Sequence, residues 1–418
     1  MAREPRAGRW RFTGPQAFLL AGSFLITLGS FAVLPYMSVL LHQRLGLGLG
    51  TVGIVLAVAS LVQFSGGVGA GPLAARVGLR ATMLTALTVR TAGFAALVPG
   101  MTSPALAVGA LFLVSAGAAL YLPANKAYLV EGAAEADRPR LLSASGSAFN
   151  AGIALGPPAA APFVLGSPTL VFSCVTVLFA VVGIGHALLP PTAVRPVADP
   201  AEAATGDRDR PTRHDDGPPP FAVTVLSVYV FMFFQHYLAL YAVPSTSAAF
   251  YGAVLTGYAC FLVIIQPLLA RWIAALAYRD AMKVGFGSMA AGTAVIAGGG
   301  YAGIGVGAVL MCVGEVVLFL KNDLESLARS SAPPATVFGR QRLAAGIGAF
   351  SSGTIGGQLY AGAEGMGSAR GFWLAVCLQA LVLPVLLTAV VRRRRSGAVV
   401  SEPAGAHAPP EPERRPRA

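Results

Sequence analysis

Charge is scarce in this chain. Only 11% of its 418 residues are Asp, Glu, Lys or Arg, against about 25% in average soluble domains. That is too little polar surface to cover one or two water-soluble domains. Four cysteines, Cys174, Cys260, Cys312 and Cys377, sit singly inside apolar stretches, which excludes a disulfide scaffold. No His/Cys cluster has metal-ligand spacing. No Walker A string is present, so ATP-driven transport within this chain is not expected, and no cofactor is called for. Glycine patterns such as Gly303-Ile-Gly305-Val-Gly307 lie in an apolar run, not after a strand, and do not read as a dinucleotide site. What the chain does have is 55% hydrophobic residues. This excludes disorder for most of its length and points to a polytopic membrane protein.

A membrane helix needs about 20 mostly apolar residues. Twelve such stretches are predicted, at 16–41, 52–73, 82–99, 105–130, 143–165, 169–190, 221–243, 251–272, 282–299, 302–327, 342–362 and 371–391. All are read as helices, because open strand edges cannot be satisfied in hydrocarbon. The first, apolar from Phe18 to Leu41, is too long for a cleavable signal and reads as a retained anchor.

The net charge of +12 does not describe a nucleic-acid face, because the basic residues are dispersed among short loops and the two ends. With the N-terminus placed inside, 25 of the 30 Lys and Arg residues fall in cytoplasmic segments and only Arg44 and Arg370 fall outside. This predicts an inner-membrane protein of a bacterium with both termini cytoplasmic. The segment 191–220, rich in Pro, acids and Arg, reads as a flexible cytoplasmic linker. It separates a six-helix unit at 16–190 from a second at 221–391, with a cytoplasmic segment at 1–15 and a disordered tail at 392–418. An offset of 200 residues lays Gly152–Ala160 over Ser352–Leu359 and Arg140 over Arg340. Such an echo is the signature of a duplicated transporter half.

Two strings carry a family resemblance. The loop after the second span reads Gly71-Pro-Leu-Ala-Ala-Arg76-Val-Gly78-Leu-Arg80. It resembles motif A of the major facilitator superfamily, G-x-L-A-D-R-x-G-x-R/K. The fifth span carries Gly152, Gly156 and Pro157 in G-x-x-x-G-P, which resembles motif C of the superfamily's 12-helix drug:proton antiporters. Two departures stand out. Ala75 replaces the motif A acid, which in the family is thought to latch the outward-facing state, so that latch is lost or another acid supplies it. Leu113 stands near the place of the antiporters' motif B arginine. The resemblance implies an all-α membrane protein with two pseudo-symmetric six-helix bundles. It also implies alternating access and a central cavity lined by helices one, four, seven and ten.

Ionisable groups inside the bilayer are costly and mark function. Glu315 is the one acid expected near mid-span, and a carboxyl there suits a proton carrier. His236, beside Gln235 and Tyr237 in an aromatic stretch, is a second candidate. Two of the three lysines, Lys126 and Lys321, fall inside spans. Lys126 is expected to pair with Asp323 or Glu325 across the pseudo-twofold axis as an inner gate. Tyr36, Gln63, Tyr121, Asn125 and Gln358 are further cavity candidates, whereas Arg90 and Asn150 serve equally as helix–helix contacts. The expectation is a monomeric, proton-coupled exporter of a drug or secondary metabolite, whose partners are lipid, substrate and protons. Proton-coupled import of a sugar or organic acid is the alternative, and a non-transporting sensor or scaffold on the same fold is the second.

Overall fold

The structure, a computed structural model, describes residues 12–191 and 217–400. Most of the expected linker and most of the expected tail lie outside the described residues, as does most of the segment 1–15. Every described element is helical.

The first half comprises α1 (Gly14–Val33), α2, α3 (Leu79–Gly100), α4 (Pro104–Val130), α5 (Arg138–Val164) and α6 (Pro168–Ala187). Here α2 is a composite: Leu49–Ser65, a 3-10 turn at Gly66–Gly69, then Ala70–Val77. The second half comprises α7 (Pro220–Ser245), α8 (Ala248–Ala275), α9 (Tyr278–Ala297), α10 (Gly300–Ala328), α11 (Pro334–Gly365) and α12 (Ala369–Val400). Thus α12 continues past 391, where the sequence places the start of the tail.

Helix starts follow local chemistry. Thr13 caps α1 in a reciprocal arrangement with Gln16. Proline opens α4, α5, α6, α7 and α11, where its missing N–H is not needed. Gly78, at φ +84°, makes the sharp turn between α2 and α3.

Nine of these helices are long and apolar enough to cross a membrane by length and composition. The three that fall short are α5, α9 and α11. The reason in α5 and α11 is visible: beyond their arginines both are rich in Gly, Ser and Ala, with prolines and Asn150 in α5 and Gln358 in α11, and both turn toward the other half of the molecule.

Helix pairs repeat six helices on. α1 packs on α5 as α7 packs on α11, and α3 packs on α4 and α6 as α9 packs on α10 and α12. Small residues permit these approaches. A Cβ added at Gly152 or Gly156 would come within 2.7 Å of α1 atoms. Gly356, two hundred residues beyond Gly156, sits against Tyr237 of α7 in the same way. Two hydrophobic clusters result: one lies within the first half, and the other fills the second half and takes in Ala74, Ala127, Val130 and Leu142 of the first.

Between the halves, α2 meets α11 and α5 meets α8, with a further contact of α4 on α10 and α11. Most of the named contacts across this divide gather toward the end at which α1 begins and α12 ends, here called basal. Gly71 abuts Thr336, where a Cβ would lie 2.8 Å from Thr336 Cα. Gly339 backs onto the Gly67 carbonyl. On the other flank Ser147 donates to the Val263 carbonyl at 3.1 Å. The glycine contacts therefore join the halves toward the basal end, while the Ser147 contact lies near the middle of α5 and α8.

Candidate functional site

A cavity of about 250 Å³ lies between the two halves above this closure. Its walls come from α4 and α10, as the resemblance implies, but equally from α5 and α11, with smaller contributions from α1, α7 and α8. Pro123 sits in α4 where the wall begins. Phe149, Phe319 and Phe338 supply apolar lining.

Four sequence-predicted residues meet here: Asn125, Lys126, Glu315 and Asp323 all line the cavity. Lys126 Nζ lies 2.5 Å from Asp323 Oδ2, joining the halves, and 5.5 Å from the Phe338 ring centre. The pair is only partly exposed, so bulk salt screens it less than a surface pair. Asn125 donates to Ser23 Oγ at 2.6 Å, tying α4 to α1. Glu315 is buried, 6% exposed. The Tyr258 hydroxyl of α8 donates to its carboxyl oxygen. One turn above, on the distal side, Cys312 is fully buried.

The other candidates lie elsewhere. Glu325 pairs with Arg329 on its own helix at 2.7 Å. Lys321 reaches the Leu276 carbonyl at 2.5 Å and the Ala274 carbonyl at 3.2 Å, completing the C-terminus of α8 as a cation does well. The ion pair recorded between the halves is thus that of Lys126 with Asp323. Tyr121 is buried inside the first half, its hydroxyl 3.0 Å from His186 Nε2. Tyr36 donates to the Pro157 carbonyl at 2.9 Å, fastening α1 to the motif C segment. Gln63 is half-buried on α2. Tyr237 stacks on Tyr360 and donates to the Gly353 carbonyl at 3.2 Å.

Gln235, His236 and Gln358 are exposed, and none lines this cavity. Gln235 continues the helical stripe of Thr224 and Val228, which do. Asn150 also lines the cavity. Arg90 is a helix contact: its guanidinium donates to Ser30 Oγ at 2.5 Å and covers the Phe179 ring.

The motif A loop lies at the basal end. Arg80 donates to the Ala187 carbonyl at the end of α6, 2.6 Å away, and Arg76 is exposed. With Ala75 in place of an acid, closure here rests on the glycine contacts of Gly67, Gly71 and Gly339.

Tyr258, Gln266 and Arg342 are among the groups of the site that the sequence reading misses. Tyr258 bears no local signal of its role. Gln266 lines the cavity and accepts from Ser147 at 3.3 Å. Arg342 is the third, and its placement is a correction: it is counted above among loop charges, but it lies inside α11 in the cavity wall. Its guanidinium stacks on the Phe64 ring of α2, 4.4 Å from the centre, a contact worth about 0.5–2 kcal/mol. Its Nε is buried without a hydrogen-bond partner. The Pro333-Pro334 pair marks the start of α11 and could have placed Arg342 two turns inside.

Residues 19–320 match the Major Facilitator Superfamily. An uncharacterized MFS-type transporter of Mycobacterium tuberculosis is 32% identical over 148 residues, 35% of this chain and 34% of that protein. Multidrug resistance protein MdtH of Aeromonas hydrophila is 30% identical over 154 residues, 37% of each chain. The chain thus matches about a third of the length of these curated relatives. Among solved structures, the human organic anion transporter TETRAN superposes with a TM-score of 0.73 at 16% identity, covering 90% of this chain and 100% of that one. The Escherichia coli fucose:proton symporter FucP gives 0.68 at 16% identity, covering 91% and 98%.

Proposed function

Because this chain belongs to the Major Facilitator Superfamily, and is thereby a secondary transporter rather than an enzyme, we propose that it exports a small organic molecule in exchange for protons. The basal end faces the cytoplasm, as the distribution of Lys and Arg predicts. The observation that carries this reading is the vertical order of the site. A buried carboxyl, Glu315, faces the cavity, and a cross-bundle ion pair, Lys126–Asp323, lies among the contacts that join the halves. Rocking of the two halves would break that pair and open the cavity to the other side. Export draws its support from the MdtH relatives, which carry the name of multidrug resistance proteins, and from the motif C echo at Gly152, Gly156 and Pro157.

A second reading, proton-coupled import of an organic acid, is favoured by one observation: a cation, Arg342, in the cavity wall. An anion bound beside it and a proton on Glu315 would favour one another, which is the sign of symport.

Flux in proteoliposomes under an imposed pH gradient separates the readings. Exchange against protons supports export, inward flux with protons supports import, and no flux defeats both. The gate has its own test. Lys126→Glu and Asp323→Lys are each expected to lower flux about tenfold or more, since each leaves two like charges facing each other. The double variant should recover most of the loss. A double variant no better than either single one would remove the pair from the mechanism.

A further inference from the structure

We propose that the cavity binds a small organic anion, with Arg342 as the group that receives it. This rests on the reading of the cavity as the transport site, in its second form of anion and proton moving together, and assigns the group that receives the occupant.

The charged and titratable groups that face the cavity are Lys126 on α4, Glu315 and Asp323 on α10 and Arg342 on α11, with Tyr258 of α8 behind Glu315. Lys126 and Asp323 neutralise each other at 2.5 Å. The Glu315 carboxyl is held by the Tyr258 hydroxyl. Arg342 remains. Among the described residues no carboxylate lies within ion-pair distance of it, and its recorded contact is the face of Phe64. A guanidinium at this depth keeps its charge and is costly without a counter-ion. Its planar fork fits a carboxylate or phosphate in two-point fashion.

The rest of the wall accommodates the body of such a molecule. Phe149, Phe319 and Phe338 offer apolar faces, while Asn150 and Gln266 offer polar edges. With Glu315 protonated the four groups sum to one positive charge, and with Glu315 ionised they sum to zero. The neutral form of Glu315 is therefore the form that welcomes an anion.

The test is equilibrium binding to purified, detergent-solubilised protein of three isosteric probes: benzoate, benzyl alcohol and benzylammonium. Benzoate is expected to bind best. Arg342→Gln should weaken benzoate roughly 10- to 100-fold and leave benzyl alcohol unchanged. Arg342→Lys, which retains the charge, should preserve the order of the three. Glu315→Gln, which fixes the neutral form, should keep benzoate binding as pH rises. Equal binding of the three, preference for benzylammonium, no binding of benzoate, or Arg342→Gln without effect in a monodisperse preparation overturns the assignment. Binding needs no membrane or gradient, so its outcome is independent of flux. Arg342-dependent benzoate binding supports the ligand class even if proteoliposomes show no transport, a result that would defeat the transport reading alone.

Discussion

Proteoliposomes carrying Glu315→Gln are expected to lose flux driven by a pH gradient, down to the level of empty vesicles. Glutamine preserves the shape of the side chain and an acceptor oxygen for the Tyr258 hydroxyl. The packing of α10 against α8 should therefore survive, and the variant should elute as the wild type does. What it removes is the ability to take up and release a proton. Counterflow, in which labelled substrate exchanges for unlabelled without net proton movement, should persist. That split between lost net flux and retained exchange separates a proton site from a structural one. A variant whose flux keeps the wild-type pH dependence would take Glu315 out of the proton path. Tyr258→Phe probes the same site more gently and is expected to displace the pH profile without abolishing flux.

The second large effect is expected from Gly339→Val. Gly339 of α11 backs directly onto the carbonyl of Gly67, in the 3-10 turn of α2. Neither side of this contact is a flexible side chain that could move away. Added carbon there wedges the two halves apart at the basal end. Overpacking of this kind costs about 1–3 kcal/mol, which shifts the conformational equilibrium roughly 5- to 150-fold. Spin labels at the exposed positions Ala134 and Asp280, one in each half, should report a longer basal distance in the variant. An unchanged distance distribution would show that the glycine contact does not hold the closed state. Gly14→Val, where a Cβ meets nothing within 4 Å, is the matched control.

The fold was largely legible because lipid imposes a simple rule. A run of about 20 apolar residues can hardly be anything but a helix, and twelve runs gave twelve helices. Errors fell where that rule weakens. Helices α5 and α11 begin at Arg138 and Pro334, ahead of the span limits 143 and 342 that the sequence predicts, because arginines near a helix end look like loop charges. In Arg342 this hid a cavity residue. The hydropathy pattern reports what faces lipid, and α11 turns much of its basal half toward the other bundle.

Parts of the site were legible for a related reason. Lys126 stands out because nothing else in its span is charged, and Glu315 because it lies deeper in its span than Lys321, Asp323 and Glu325. Tyr258 could not be found that way, since tyrosines are common in membrane helices and only the approach of α8 to α10 gives this one a partner. Tyr121 and Tyr36 illustrate the converse. Both are polar groups within apolar sequence, yet one answers His186 inside a bundle and the other fastens α1 to α5. Spacing along one helix does not reveal what a neighbouring helix presents.

The glycine contacts at the basal closure carry one more consequence. Where a carboxylate latch is expected, Ala75 leaves a seam of bare backbone fitted to backbone. Interactions of that kind have no counter-ions to bind or shed, and dispersion does not weaken in brine. The glycine part of the closure should therefore be nearly deaf to ionic strength, which leaves the Lys126–Asp323 pair as the contact through which salt can act. The glycine seam should also be indifferent to whether the surrounding leaflet is anionic or zwitterionic.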